Sequence, residues 1–236
     1  MQLNFAAREV AIKLVYYGPA LSGKTTNLKA LHELSREDSR GRLMTLETKD
    51  DRTLFFDMLP LVFKADSKEG AMSLRVKVFT VPGQVVHAST RRLVLQGADG
   101  IAFIADSQTS ETENNAASFL DLKENLKELG RSMRDVPLVI QFNKRDLRDV
   151  RSDTEIDELA KRGKELVYKA SAVKGRGVLE SFFGLLDRSW RKLDAEHDLK
   201  DKLGISADGF LEQAAESMGY GGKARALCDA CVVVKP

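Results

Sequence analysis

Apolar residues follow two alternating patterns along this chain. Short β-branched, apolar or aromatic runs occupy 10–17, 74–79, 100–105, 137–142 and 166–170. Between and after them, at 26–34, 116–129, 153–164 and 178–193, apolar residues return every three or four positions, the period of a helix with one buried face. Strands alternating with helices predict a three-layer α/β domain, its sheet mostly parallel and covered by helices on both faces. Runs 100–105 and 137–142 are almost continuously apolar, as strands buried on both faces are. In 74–79 apolar residues alternate with Arg75 and Lys77, which predicts a half-exposed strand near an edge. In 178–193, Leu179, Phe182, Phe183, Leu186 and Trp190 share one helix face and read as core.

The pattern weakens after residue 194. Residues 195–236 contain one better helical stretch, 210–218, then the cluster Gly219-Tyr220-Gly221-Gly222. This predicts an α/β domain over 1–194 and a C-terminal extension over 195–236, outside the domain and weakly helical or partly disordered. The chain has 236 residues, enough to bury a core without staples. Its 37 basic and 35 acidic residues are interspersed and leave a formal charge of +2. That excludes the clustered basic stripe of a nucleic-acid surface. No run approaches the ~20 apolar residues of a membrane span, and residues 1–10 have no signal-peptide core. Cys228 and Cys231, the only cysteines, supply half of a four-ligand zinc set. With residues following Cys231 and Lys235-Pro236 last in the sequence, no prenyl anchor is expected. A cytoplasmic protein is expected.

Composition leaves the chemistry open; four motifs narrow it. Gly18-Pro19-Ala20-Leu21-Ser22-Gly23-Lys24-Thr25 joins the first strand to the first helix, the context a phosphate-cradling loop requires. Gly18, Leu21, Ser22, Gly23 and Thr26 belong to the wrapping backbone, whose N–H groups and helix N-terminus attract phosphate. Lys24 is assigned to the β- and γ-phosphates and the Thr25 hydroxyl to Mg²⁺. Asn143-Lys144-Arg145-Asp146 follows the buried run 137–142, at the carboxyl end of a strand, where open α/β sheets bind ligands. A carboxylate there accepts from the ring N–H and exocyclic amine of guanine together, a donor pair adenine lacks on that edge, so Asp146 selects guanine. Asn143 braces the purine's other edge and the phosphate loop, the Lys144 stem lies over the base, and Ser171-Ala172 closes on it through backbone N–H groups.

Thr80-Val81-Pro82-Gly83-Gln84 follows the 74–79 run. It matches in position the Asp-x-x-Gly-Gln of Ras-like switches, where Gly83 would sense the γ-phosphate and Gln84 orient water. Thr80 stands where an aspartate usually reaches Mg²⁺ through water. The polar segment 47–56 is long enough to fold over a nucleotide, with Thr53 as second hydroxyl on Mg²⁺. Arg52 beside it reads equally as an internal arginine finger or as a solvated partner of Asp50 or Asp51.

Taken together these words resemble the MglA family of bacterial Ras-like GTPases, over roughly residues 6–193. They include Tyr16-Tyr17-Gly18-Pro19, Gly23-Lys24-Thr25-Thr26-Asn27-Leu28, Asp51-Arg52-Thr53-Leu54-Phe55-Phe56-Asp57, Ala105-Asp106-Ser107-Gln108 and Asn143-Lys144-Arg145-Asp146-Leu147. The resemblance implies a GTP/GDP switch with Mg²⁺, acting in cell polarity and gliding motility. It makes threonine at 80 a family hallmark and assigns Arg52 and Gln84 to hydrolysis. It also implies a monomeric G domain, a roadblock-type MglB-like activating dimer, polarity or motility effectors, and recruitment to a cell pole without membrane insertion. Segment 64–70 reads as a lengthened connection between the second and third strands, and 195–236 as an addition to the family pattern. The rival readings are a GTP-binding scaffold with negligible hydrolysis, whose tail recruits partners, and a P-loop kinase or ATPase, in which Asp146 would have no purpose.

Overall fold

The computed structural model describes residues 1–4, 9–46, 56–67, 70–83 and 88–231. In chain order they form β1 (Gln2–Asn4), β2 (Glu9–Tyr17), α1 (Lys24–Leu34), β3 (Met44–Leu46), β4 (Phe56–Ser67), β5 (Gly70–Thr80), α2 (Ala88–Leu95), β6 (Gly100–Asp106), α3 (Thr112–Glu128), β7 (Leu138–Asn143), α4 (Asp153–Arg162), β8 (Leu166–Lys169), α5 (Val178–His197), α6 (Leu199–Leu203), α7 (Ala207–Met218) and α8 (Ala224–Asp229). One sheet runs β3-β4-β5-β2-β6-β7-β8, with β1 beside β2. The neighbours from β5 through β8 pair in parallel, while β3–β4, β4–β5 and β1–β2 pair antiparallel. This is the Ras-like P-loop architecture.

Alternation of side chains across a strand explains the continuous apolar runs. In β2, Leu14 and Tyr16 face one core with α1 and α5, while Val15 and Tyr17 face a second core with α2, α3 and α4. β6 and β7 divide in the same way. β5 is not the near-edge strand its alternation predicted. It lies inside the sheet between β4 and β2, with Leu74, Val76 and Val78 buried and Arg75 and Lys77 exposed on the other face. Alternation there reports an uncovered face, not an edge. Segment 64–70 is also not an added loop: β4 continues to Ser67 and pairs with Gly70, lengthening the hairpin itself.

The extension departs most from expectation. α7 and α8 are built into the first core: Phe210, Leu211, Ala214, Ala215, Met218 and Ala224 are buried in the same cluster as Leu28 and Phe182. Phe210 stacks on Trp190 with ring centroids 3.8 Å apart and planes 7° from parallel. Tyr168 donates to the Cys228 carbonyl (2.8 Å), and Tyr220 to the Leu34 carbonyl (3.0 Å). The reading of a weakly ordered appendage outside the domain is therefore corrected for the described part of 195–236. Burial pushes the Cys228 thiol up to about 12. Among the described residues no three His, Cys, Asp or Glu gather as a metal group, and no helix is long and apolar enough to cross a membrane.

Candidate functional site

The carboxyl ends of β2, β6 and β7 converge on the loop from Gly18 to Gly23 and on the N-terminus of α1, so backbone N–H groups and a helix dipole face one opening. Gly23 has φ +95, and a Cβ on it would lie 2.2 Å from the Asn143 amide nitrogen, so only glycine serves here. Leu21 takes a left-handed φ of +61 with an exposed side chain, and the Ser22 hydroxyl is buried with no partner. Thr26 follows, half-buried, in the first turn of α1.

Lys24 is buried and donates to the carbonyls of Gly18 (2.9 Å) and Pro19 (2.6 Å), two of its three donors. Burial first, then the nearby Arg91 charge, lowers its pKa to about 8; Asp57 works in the opposite direction. A cation with a depressed pKa and a free donor suits an anion that restores its charge. Beneath the loop, Gln141 donates to Asn27 Oδ1 (2.9 Å) and Ser181 Oγ (2.7 Å), and Asn27 donates to the Gly23 carbonyl (3.0 Å). This buried polar net fixes the loop's underside to β7 and α5.

Asn143, at the last position of β7, holds two loops at once. Its amide donates to the Ser22 carbonyl (2.9 Å) and its oxygen accepts from the Ala172 N–H (2.9 Å). Asp146 accepts from the Ser171 hydroxyl at 2.5 Å, and that bond chiefly holds its carboxyl below the usual carboxylate range. An ionised, acceptor-only group therefore stands where the sequence placed the guanine selector. Lys144 has φ +66, and its ammonium pairs with Asp106 at 2.6 Å, which tethers the end of the stem assigned to the base plane. Asn143, Lys144, Asp146, Ser171 and Ala172 are thus brought together with the phosphate loop.

At the opposite side of the loop Gly83 lies against the loop backbone: a Cβ on it would meet Ala20 Cα at 2.5 Å. Sequence reasoning missed the centre of this side. Asp57, 7% exposed, accepts from Thr25 Oγ1 (2.5 Å), Thr45 Oγ1 (2.8 Å) and Thr80 Oγ1 (3.3 Å), and its own N–H donates to Thr80 Oγ1 (2.9 Å). The negative charge absent at Thr80 is supplied across the β4–β5 pair. A signal was available: Asp57 shares strand parity with the buried Leu59, Leu61 and Phe63, so its carboxylate faces inward. The hydroxyls of Thr25 and Thr80 with one carboxylate are hard oxygen donors suited to Mg²⁺. Arg52, Thr53 and Gln84 lie outside the described residues.

No family model matches the chain. It is, however, 40% identical to the mutual gliding-motility protein MglA of Myxococcus xanthus (strain DK1622) over 179 residues, 76% of this chain and 90% of that relative. With its phosphate loop and guanine motif joined through Asn143 on a Ras-like sheet, the chain belongs to the MglA family of small Ras-like GTPases.

Proposed function

We propose that the protein is a nucleotide-dependent switch that binds GTP with Mg²⁺, hydrolyses it slowly to GDP and phosphate, and acts in bacterial cell polarity or motility. The observation that carries this reading is Asn143, which ties the phosphate loop to the Ser171-Ala172 loop beside Asp146. A site linked in this way reads triphosphate and guanine as one ligand. The P-loop kinase or ATPase reading leaves that link and the Asp146 carboxylate unused.

The work of the residues is positioning and electrostatics. Lys24 and the loop N–H groups hold the β- and γ-phosphates. Thr25 and Thr53 would hold the metal, with Asp57 and Thr80 behind them; bound Mg²⁺ would supply charge neutralisation on the phosphates. Gly83 carries its N–H beside the loop. Gln84 orients the attacking water, and Arg52 places positive charge on the phosphoryl group in cis. Asp146 rejects adenine because its acceptor pair would be left unmatched. A roadblock-type dimer resembling MglB would speed the reaction by ordering these groups, and its recruitment to a pole would follow nucleotide state.

The test is GTP hydrolysis by wild type, Arg52→Ala and Gln84→Leu, with and without a cognate roadblock-family dimer, with ATP as competitor. Acceleration of wild type alone, unaffected by ATP, supports the switch. Equal slow turnover in all three with the dimer bound supports the scaffold reading. Displacement of GTP by ATP supports the kinase or ATPase reading.

A further inference from the structure

A charge cluster with no place in the nucleotide site lies where α2 meets α3, its arginine buried and its carboxylate partly open to solvent. Arg91, on α2 and 4% exposed, sets its Nε 2.9 Å from Asp121 Oδ2 and donates from Nη2 to Asp121 Oδ1 at 3.1 Å. The hydroxyl of Tyr17 also donates to Asp121 Oδ2. Asn125 completes the cluster, donating to the Tyr17 hydroxyl (3.2 Å) and to the Asp121 carbonyl (2.8 Å).

The three chief members come from three functional elements. Tyr17 is the last residue of β2 and immediately precedes Gly18 of the phosphate loop. α2 begins four residues after Gln84 and has only eight residues, far too few to be a stable helix by itself. Its apolar anchors, Val94 and Leu95, lie at its far end, and the Arg92–Glu128 pair is solvent-exposed and worth little. In its first half Thr90 and Arg91 are the buried side chains, and Arg91 carries the ion pair to α3. Burying an arginine is unfavourable unless its charge is paired and hydrogen-bonded, as that of Arg91 is here by Asp121.

We propose that Asp121 is a positioning residue that joins α2 to the root of the phosphate loop, receiving Arg91 from one and Tyr17 from the other. This rests on the switch reading above, in which Gln84, carried just ahead of α2, must be aligned with the γ-phosphate. When α2 leaves its seat Asp121 loses Arg91 and keeps only the Tyr17 hydroxyl, so the position of α2 is registered at the residue before Gly18 through one shared carboxylate. The Arg91 charge also helps to lower the pKa of Lys24.

The experiment uses the full chain and Tyr17→Phe, Asp121→Asn and Arg91→Lys. It measures GTP affinity, single-turnover hydrolysis at saturating GTP, and amide exchange of residues 88–95. Tyr17→Phe keeps the ring and its packing, so it decides the matter if Asp121→Asn fails to fold. The expected result is GTP affinity within about threefold of wild type with hydrolysis slowed about tenfold in Asp121→Asn and a few-fold in Tyr17→Phe. Exchange of α2 amides should quicken about tenfold with β7 and α5 unchanged, and Arg91→Lys should lie between. Wild-type hydrolysis and wild-type α2 exchange in Tyr17→Phe and in folded Asp121→Asn would overturn the proposal, as would faster exchange spread evenly over the chain. If wild type itself fails to hydrolyse GTP, the switch reading fails, while α2 exchange still judges the coupling.

Discussion

Two aspartates mark the two ends of the candidate nucleotide site, and they are held in opposite ways. Asp146 stands on the surface just beyond β7, tuned mainly by one hydroxyl from Ser171. Asp57 is buried at the start of β4 and gathers hydroxyls from α1, β3 and β5. The base end is assembled from consecutive parallel βα units locked by Asn143, so its acceptor is in place before any ligand arrives. The phosphate end borrows its carboxylate from an antiparallel hairpin, so that charge is correct only in one register; a one-residue slip would turn Asp57 to the other face. On the proposed function, base recognition would rest on the parallel half of the sheet, and metal affinity on strand pairing.

The largest expected effect breaks the base end. Asp146→Asn replaces an acceptor with a group that also presents donors, and discrimination of GTP over ATP should fall roughly a hundredfold or more. Competition binding of the two nucleotides checks this. Unchanged selectivity would mean that the Ser171-Ala172 backbone, rather than the carboxylate, reads the base. At the other end, Asp57→Asn keeps the shape and removes the charge. GTP affinity should fall about tenfold to a hundredfold in Mg²⁺ and change little in a chelator, as loss of one or two charge-assisted contacts predicts. Equal loss in both conditions would assign Asp57 to folding alone.

What the sequence revealed divides along the same line. Lys24, Asn143 and Asp146 were legible because each lies in a contiguous word at a strand end, where chain order and spatial order coincide. Strand parity marks Asp57 only as facing inward; its partners Thr25, Thr45 and Thr80 lie at separations in the chain that carry no local signal. The same is true of Arg91, Asp121 and Tyr17, and of Phe210, whose stacking partner Trp190 belongs to a different helix. α7 reads weakly because an alanine-rich twelve-residue helix owes its stability to the surface it covers. β2, β5, β6, β7 and β8 were read by period, but β1, β3 and β4 were not, and period could not distinguish an edge from an uncovered face in β5.

A third substitution sharpens the account of the phosphate end. Thr80→Asp would restore the residue usual in Ras-like switches, yet Thr80 Oγ1 already lies 3.3 Å from Asp57 Oδ2. Two carboxylates at that separation repel, so the metal-free protein should lose about 1–3 kcal/mol of stability, recovered as Mg²⁺ and nucleotide are added. Thermal unfolding with and without Mg²⁺ decides it. A variant as stable as wild type in chelator would show that the hairpin shifts to separate the two groups.

The smallest effect concerns Lys24, which stands between the two ends. Its pKa is lowered to about 8 by burial and by Arg91, against an ordinary value of 10.5. Below pH 8 the lysine is charged in folded and unfolded chains alike, and burying that charge is unfavourable. As pH rises from 8 toward 10.5 the folded protein releases the proton first, so the nucleotide-free form should gain stability across that window. Phosphate reverses the balance by favouring the ammonium, so binding above pH 8 must take up a proton. GTP affinity should then fall with pH by up to about tenfold per unit, in step with the fraction of neutral lysine. Calorimetric titration at pH 9 in two buffers of different ionisation enthalpy measures this uptake directly. An uptake approaching one proton, abolished in Lys24→Ala, places the depressed lysine on the phosphates; heats that do not depend on the buffer would mean that Lys24 keeps its proton in the empty site, with the Gly18 and Pro19 carbonyls sufficient to hold it.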